Sequence, residues 1–419
     1  MHPRSLRSLS YLIGLNSVYL GVNYLWMSYE AIILPIQVGL SVQQEYKGFV
    51  LGIVASVGSL IGLSVNMLSG VLGDRIRFFG SRRSPYIIIG TSLAILTLIW
   101  ESFLTFYLAI VLFGYIMIQI SGNLSSGSYQ PFLAEVVNSS QRGASAGIGG
   151  FFTLIGSALG FGVTGYLVGI GYFSLSLYSI SVILLIGTFL TIITVRKEDK
   201  IISSGVKFSR EKLRRTIHEV RNLKRFTRLL LGCFLVFMGA TGLTFFEFYY
   251  FKDVLLLHNP AYSLAVAGVL ILTVSGVSTV IFGHYSDRFG RRRILIAATI
   301  VASISIAFIP IFRTFQNFLI LGSIYGGAFG VFFSVSLALA GDLVPRGDAG
   351  RYMSFFNLSV GGATAISPAL LGMIFLVFSG SAVNAFISLF EISALFTMLG
   401  AILLAFFFRK DVVAGKLSL

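Results

Sequence analysis

Three carboxylates stand inside long apolar stretches of this 419-residue chain: Glu30, Glu247 and Glu391. A carboxylate at the centre of a membrane-spanning helix costs about 2.5–3.5 kcal/mol on insertion scales, and such groups mark ion and proton pathways. Each stands about 6–7 residues, roughly 9–10 Å, from the midpoint of its run, where the cost is lower. Glu30 and Glu247 lie 217 residues apart, in comparable places in two different runs. A partly desolvated carboxyl can load and release a proton. Glu30 is therefore the first candidate for coupling solute movement to protons, and Glu247 the second. Glu391 reads as a structural acid.

Polar and aromatic side chains surround the first carboxylate in sequence. Asn23, Tyr24, Trp26 and Tyr29 precede Glu30. Trp26 and Glu30 are i and i+4, and Asn23 and Trp26 are i and i+3, so they share a helix face. Tyr115, Gln119 and Asn123 follow one another at single-turn spacing in another run. Thr244 shares a face with Glu247, beside Phe248 and Phe251, and Asn357 marks a later run. An aromatic face beside hydrogen-bonding groups suits a sugar ring or another amphipathic solute. The candidate substrate-binding residues are Asn23, Trp26, Tyr115, Gln119, Asn123, Thr244 and Asn357.

The elements that must position these residues are membrane helices. Of the chain, 56% is hydrophobic and 11% charged, against roughly 25% charged in soluble domains. A span takes about 20 apolar residues. The pattern predicts spans near 11–37, 49–72, 86–101, 104–127, 144–168 and 173–195. The second half follows with 229–251, 262–284, 292–312, 317–340, 352–377 and 385–408. All but three of the 31 Lys and Arg residues, the exceptions being Lys47, Lys252 and Arg313, then fall on one side. The net charge of +15 is thus topogenic and names no nucleic-acid partner. It predicts a multi-pass cell-membrane protein with both termini in the cytoplasm.

The expected organisation is a bundle over 1–195, a linker over 196–228 and a second bundle over 229–419. In the linker, Leu213, Ile217, Val220 and Leu223 recur near helical spacing among arginines and lysines. This predicts a basic amphipathic helix on the anionic inner leaflet, with a merely solvated linker as the alternative.

The halves repeat. Gly73-Asp74-Arg75, with Arg82 and Arg83 beyond, is matched by Gly283 and by Asp287-Arg288, with Arg291 and Arg292 beyond. The two Asp-Arg pairs are 213 residues apart. Glu135 and Arg142 are matched by Asp342 and Arg351, with the acids 207 residues apart. Two matches at nearly one offset indicate duplication. An acid near a helix end and an arginine able to grip a carboxylate in two places can form a latch that closes and releases. These fourteen residues are the expected cytoplasmic latch.

At these residues the chain resembles the major facilitator superfamily, through the Gly-x-x-x-Asp-Arg-…-Gly-x-Arg-Arg loop present in both halves. The resemblance covers the whole chain. It implies an all-α integral membrane fold of twelve transmembrane helices in two pseudo-symmetric six-helix bundles, working by alternating access. Glu135-x6-Arg142-Gly143 is similar to the loop of sugar porters. Asp74-Arg75…Gly80-x-Arg82-Arg83-x-Pro85-Tyr86 resembles sucrose–proton and glycoside–cation symporters, as do Gly21-Val22, Trp26 and Pro35. The Pro-Glu-Ser-Pro-Arg element of sugar porters is replaced by Thr194-Val195-Arg196-Lys197. Where drug–proton antiporters carry Gly-Pro, this chain has Gly160-Phe161.

No Walker loop, no His/Cys cluster and no Gly-x-Ser-x-Gly setting occurs. The expectation is no enzyme, no metal and no cofactor. The sequence reads as a monomeric secondary active transporter with three partners: a small-molecule substrate, protons and the lipid bilayer. Proton-coupled symport of a sugar or other small polar organic solute leads. Proton-antiport efflux of amphipathic compounds stays open, as does a membrane sensor or scaffold that does not transport.

Overall fold

The computed structural model describes residues 6–75, 81–103, 107–196, 198–201, 223–344 and 349–413. Apolar runs in lipid must satisfy their own backbone groups, so they fold as helices. Twelve long helices result, with no strand among the described residues. The first, α1, strings together Leu9–Asn16, Val18–Ser28, a π-helical turn at Tyr29–Ile33 and Leu34–Ser41. Then come α2 (Lys47–Arg75), α3 (Ser84–Glu101), α4 (Leu108–Val136), α5 (Arg142–Gly169) and α6 (Phe173–Val195). The second half holds α7 (Lys224–Val254), α8 (Pro260–Phe289), α9 (Arg291–Phe308), α10 (Phe315–Leu343), α11 (Ala349–Val377) and α12 (Ala382–Val413). Ten of these are long and apolar enough to cross a membrane as continuous stretches. The π turn interrupts α1, and α9 opens on three arginines.

Local chemistry sets several ends. Pro85 sits in the first turn of α3, where its missing N–H costs nothing. The Thr314 side chain caps α10 by accepting from the Asn317 N–H. Between α8 and α9, Gly290 adopts φ +91°, which other residues rarely reach. That glycine lets two helix axes meet with no intervening loop.

Packing divides the chain into two units. One comprises Met1–Lys47, Val57–Lys207 and His258–Val269; the other comprises Gly48–Ser56, Phe208–Leu257 and Leu270–Leu419. In the first, α1 packs on α5 and α6, and α3 packs on α4 and α6. In the second, the helices six places later repeat the pattern: α7 packs on α11 and α12, and α9 packs on α10 and α12. The repeat seen in the loop motifs is thus a repeat of helix contacts. A π turn recurs as well, at Tyr29–Ile33 in α1 and at Tyr250–Val254 ending α7, while a further one at Gly160–Thr164 in α5 has no counterpart in α11.

The core of the second unit is aliphatic and aromatic. Phe226, Leu229, Cys233, Val236 and Phe237 of α7 pack with Val331, Phe332 and Val335 of α10. In the first unit, small residues bring helices together, as expected where lipid offers no hydrophobic drive. A Cβ on Gly21 would lie 2.7 Å from the Leu184 Cα, and one on Gly187 would lie 2.7 Å from the Ser17 carbonyl oxygen. The two glycines face backbone from both sides of the α1–α6 crossing. Gly21→Ala or Gly187→Ala should therefore destabilise the protein by about 1–3 kcal/mol. Gly147→Ala, where nothing lies within 4 Å, should be neutral or slightly stabilising. Thermal unfolding of the purified protein in detergent checks the contrast.

Candidate functional site

Glu30 lies within the π turn of α1. A π turn carries one residue more than an α turn and re-aims the side chains around it, which is why such turns are frequent at functional sites. The Glu30 carboxylate accepts two hydrogen bonds, both at Oε1. Tyr115 Oη donates at 3.1 Å and Gln119 Nε2 at 3.0 Å. Gln119 Nε2 also donates to Tyr115 Oη at 2.6 Å. Asn123 Nδ2 donates to Gln119 Oε1 at 3.0 Å, and Asn66 Nδ2 donates to Asn123 Oδ1 at 3.4 Å. A polar line therefore runs from α1 along one face of α4 to α2.

The line fits because α2 and α4 carry glycines where it passes. A Cβ on Gly58 would strike the Tyr115 ring, and one on Gly62 would strike the amides of Gln119 and Asn123. A Cβ on Gly122 would come within 2.7 Å of the Trp26 ring. Trp26 thus lies flush against α4 beside the amides. Glu30 itself is half-buried.

The structure brings together Glu30, Tyr115, Gln119 and Asn123, with Trp26 alongside. Asn23 points elsewhere: its Nδ2 donates to the Tyr19 carbonyl at 2.8 Å and to Thr153 Oγ1 of α5 at 3.3 Å. In the second unit Glu247 is half-buried on α7, with Thr244 one turn earlier and Tyr325 of α10 within electrostatic reach. Asn357 on α11 and Glu391 on α12 are exposed.

Three residues of these polar networks were not legible in the sequence. Asn66 extends the amide line. Glu101, the last residue of α3, is 3% exposed and accepts from Tyr29 Oη at 2.6 Å and from Gln37 Nε2 at 3.1 Å. Gln37, 2% exposed on α1, is the third. The Tyr29 and Tyr115 rings stack at 5.9 Å and 11°, so the Glu101 and Glu30 groups adjoin through an aromatic pair. The one available signal was that Glu101 ends an apolar run with no basic residue near it.

At the end of the first unit where the linker leaves, Arg83 NH2 meets Glu135 Oε1 at 2.7 Å, with Arg82 NH1 4.0 Å from Glu135 Oε2. Asp199, just past α6, accepts from the Arg83 N–H at 3.0 Å and the Ser84 N–H at 3.0 Å, and so caps α3. Arg7 adds an ion pair to Glu198 at 2.9 Å and bonds Gln141 in both directions. In the second unit Arg291 bridges Asp287 at 2.9 Å and Asp342 at 2.6 Å. Arg142 opens α5 and is exposed, as is Arg288 near the end of α8. Gly283 is half-buried on α8, and Arg292 NH2 donates to the Ala405 carbonyl at 3.2 Å. The side chains at Gly73, Asp74, Arg75 and Arg351 lie outside the described residues. So does 202–222, where the amphipathic linker helix is expected.

The Major Facilitator Superfamily profile matches residues 11–274 and 254–418. The chain belongs to that superfamily and is a multi-pass membrane transporter, not an enzyme. It is 27% identical over 184 residues to the uncharacterized MFS-type transporter YwfA of Bacillus subtilis (strain 168). That match covers 43% of this chain and 41% of the relative, so the chain spans less than half of that relative's length. Among solved structures, the POT family transporter PepTSo superimposes with a TM-score of 0.75 at 13% identity, over 98% of this chain and 99% of that one. A D-xylose-proton symporter does so with a TM-score of 0.69 at 14% identity, over 93% and 96%. At such identities the likeness is one of fold.

The ion pairs differ in what their loss should cost. Arg83 is almost fully enclosed, with 2% of its side chain exposed, whereas Asp287 and Asp342 are more than half exposed. Arg83→Ala would leave Glu135 with the longer Arg82 contact in a partly desolvated place and should destabilise by about 1–3 kcal/mol, below the roughly 3–5 kcal/mol of a fully buried pair that is broken. Arg291→Ala should cost under about 1 kcal/mol. Melting temperatures of the two variants, measured side by side, check the ranking.

Proposed function

We propose that this transporter is a proton-coupled symporter of a sugar or similar small polar organic solute, with Glu30 as the coupling carboxyl. One observation carries the reading. Glu30 is held by a phenol and an amide, and among the described residues no Lys, Arg or His pairs with it. A membrane carboxylate without a cationic partner is neutralised by a proton.

The same geometry supports a coupling between proton and solute. Gln119 Nε2 serves the carboxylate while Gln119 Oε1 serves Asn123. Protonation of Glu30 weakens its demand on the amide, because a neutral carboxyl is a poorer acceptor than a carboxylate. The amide line is then free to bond solute hydroxyls, and the Trp26 ring offers them an apolar floor. The D-xylose-proton symporter that shares the fold supports the class by analogy. Glu247 is the second protonation candidate. Trp26, Tyr115, Gln119 and Asn123 are the proposed substrate contacts of the first unit and Thr244 and Asn357 those of the second, while Asn23, whose amide is used within the bundle, supports α1 instead.

In this reading the Arg83–Glu135 and Asp287–Arg291–Asp342 clusters latch the cytoplasmic ends of the two bundles as the protein alternates. The protein acts as a monomer in the cell membrane, with both termini cytoplasmic and a basic linker against anionic lipid.

Uptake of radiolabelled sugars into proteoliposomes under an inward proton gradient tests the proposal. Wild type should accumulate a solute above equilibrium. Glu30→Gln should lose gradient-driven accumulation yet retain solute counterflow, and Glu247→Gln should have a smaller effect. Gradient-driven uptake unchanged in Glu30→Gln contradicts the assignment. Gln119→Ala should weaken solute affinity about 5–30-fold, the equivalent of one or two hydrogen bonds at 1–2 kcal/mol. Counterflow half-saturation reads that change.

A further inference from the structure

Among the described residues of the first unit's membrane helices, Glu101 is the carboxyl with the least exposed surface, at 3%. It is not part of the amide line that holds Glu30, and its setting calls for an account. Tyr29 and Gln37 of α1 supply its two hydrogen-bond donors. From α4, Gly114 faces it, and a Cβ there would collide with Glu101 Oε1. From α6, Tyr178 bonds the neighbouring Ser102 at 2.9 Å. Tyr115 stands behind Tyr29, with Glu30 beyond it. Among the described residues, no Lys, Arg or His is paired with it. The carboxyl also terminates α3, where the helix dipole presents its negative end and disfavours a second negative charge.

The hydrogen bonds around Glu101 have two self-consistent arrangements that differ by one proton. Tyr29 Oη lies 2.6 Å from Glu101 Oε1 and 3.3 Å from Gln37 Oε1. With the carboxylate ionised, the Tyr29 hydroxyl donates to Glu101, and Gln37 Nε2 donates to the other oxygen. When Oε1 takes a proton, its new O–H can donate to Tyr29 Oη, and the tyrosine proton turns to Gln37 Oε1. In the ionised state the single Tyr29 proton leaves Gln37 Oε1 with no other donor among the described residues, whereas in the protonated state Glu101, Tyr29 and Gln37 Oε1 are all paired, so taking up a proton removes the penalty of an orphaned acceptor. A carboxylate built only to tie helices together has no need of the second acceptor, Gln37 Oε1.

We propose that Glu101 is a second proton-binding site, loaded from the aqueous phase beyond the C-terminal end of α3. One proton leaves a hydronium ion and joins Oε1, giving a carboxylic acid and water. The switch of the Tyr29 hydroxyl then sits one residue from Glu30 and against the Tyr115 ring. Glu101 thereby senses protons at the end of the bundle away from the linker and adjusts the surroundings of Glu30. That role in transport rests on the proton-coupling reading of Glu30; the binding of a proton at Glu101 does not.

Infrared difference spectroscopy of the full-length protein in lipid, acid minus alkaline, reads each carboxyl separately through its carboxylic C=O stretch. Wild type should show bands from both groups. Glu101→Gln should remove one band that Glu30→Gln retains, and Glu30→Gln should remove the other. A Glu101→Gln spectrum with every wild-type band intact overturns the proposal, whatever Glu30→Gln does. Tyr29→Phe gives a second route if Glu101→Gln fails to fold. Loss of the tyrosine hydroxyl should move the Glu101 band to higher frequency, and an unmoved set of bands overturns the proposal equally.

Discussion

A carboxyl group inside a membrane must find all its partners within the protein. Water is not there to solvate it, and an unmatched charge costs several kcal/mol. Much of the first unit is arranged around that constraint. The π turn at Tyr29–Ile33 carries Glu30, and neighbouring Tyr29 turns to Glu101. Gly58 and Gly62 on α2 open space for Tyr115, Gln119 and Asn123, and Gly122 on α4 opens space for Trp26. Gly114 does the same for Glu101. Each of these features is locally unfavourable for a helix, since glycine lowers helix stability and a π turn breaks the regular ladder. They are retained where polar groups need room.

Among the described residues, the second unit repeats the helix contacts and one π turn without repeating the polar line. Glu247 has Thr244 and Tyr325 nearby, while the surrounding core of α7 and α10 is aromatic, with Phe237 edge-on to Phe329, Phe332 and Phe333. One scaffold, duplicated, thus carries different chemistry in its two copies. The ionic clusters follow the same rule. Arg83 is enclosed and is joined at its backbone by Asp199, whereas Arg291 bridges two exposed acids.

Much of this architecture is legible in the amino-acid sequence. Twelve apolar runs define twelve helices because a span has a nearly fixed length. The Asp-Arg spacing exposes the duplication. Tyr115, Gln119 and Asn123 stand out because single-turn spacing puts them on one face, and Glu30 because it interrupts an apolar run. What stays hidden has physical causes. Glu101 closes its apolar run and reads like a loop acid; only the packing of α1 against α3 and α4 shows that it is enclosed. Asp199 reads as one more linker charge until α3 is seen to begin beside it. A π turn leaves no mark in hydropathy, so the face that Glu30 presents cannot be drawn from a regular helix. Asn23, placed by periodicity beside Trp26, spends its amide on Tyr19 and Thr153. Periodicity gives a residue's face but not the partner that claims it.

The central claim is that solute and proton move together in one direction through this protein. The most direct measurement is the pH inside proteoliposomes that enclose a pH-sensitive dye, with equal pH on both sides, after a transported solute is added outside. Symport requires the interior to acidify as solute enters, in proportion to solute flux. An interior that stays at constant pH, or turns alkaline, while solute enters would contradict the account.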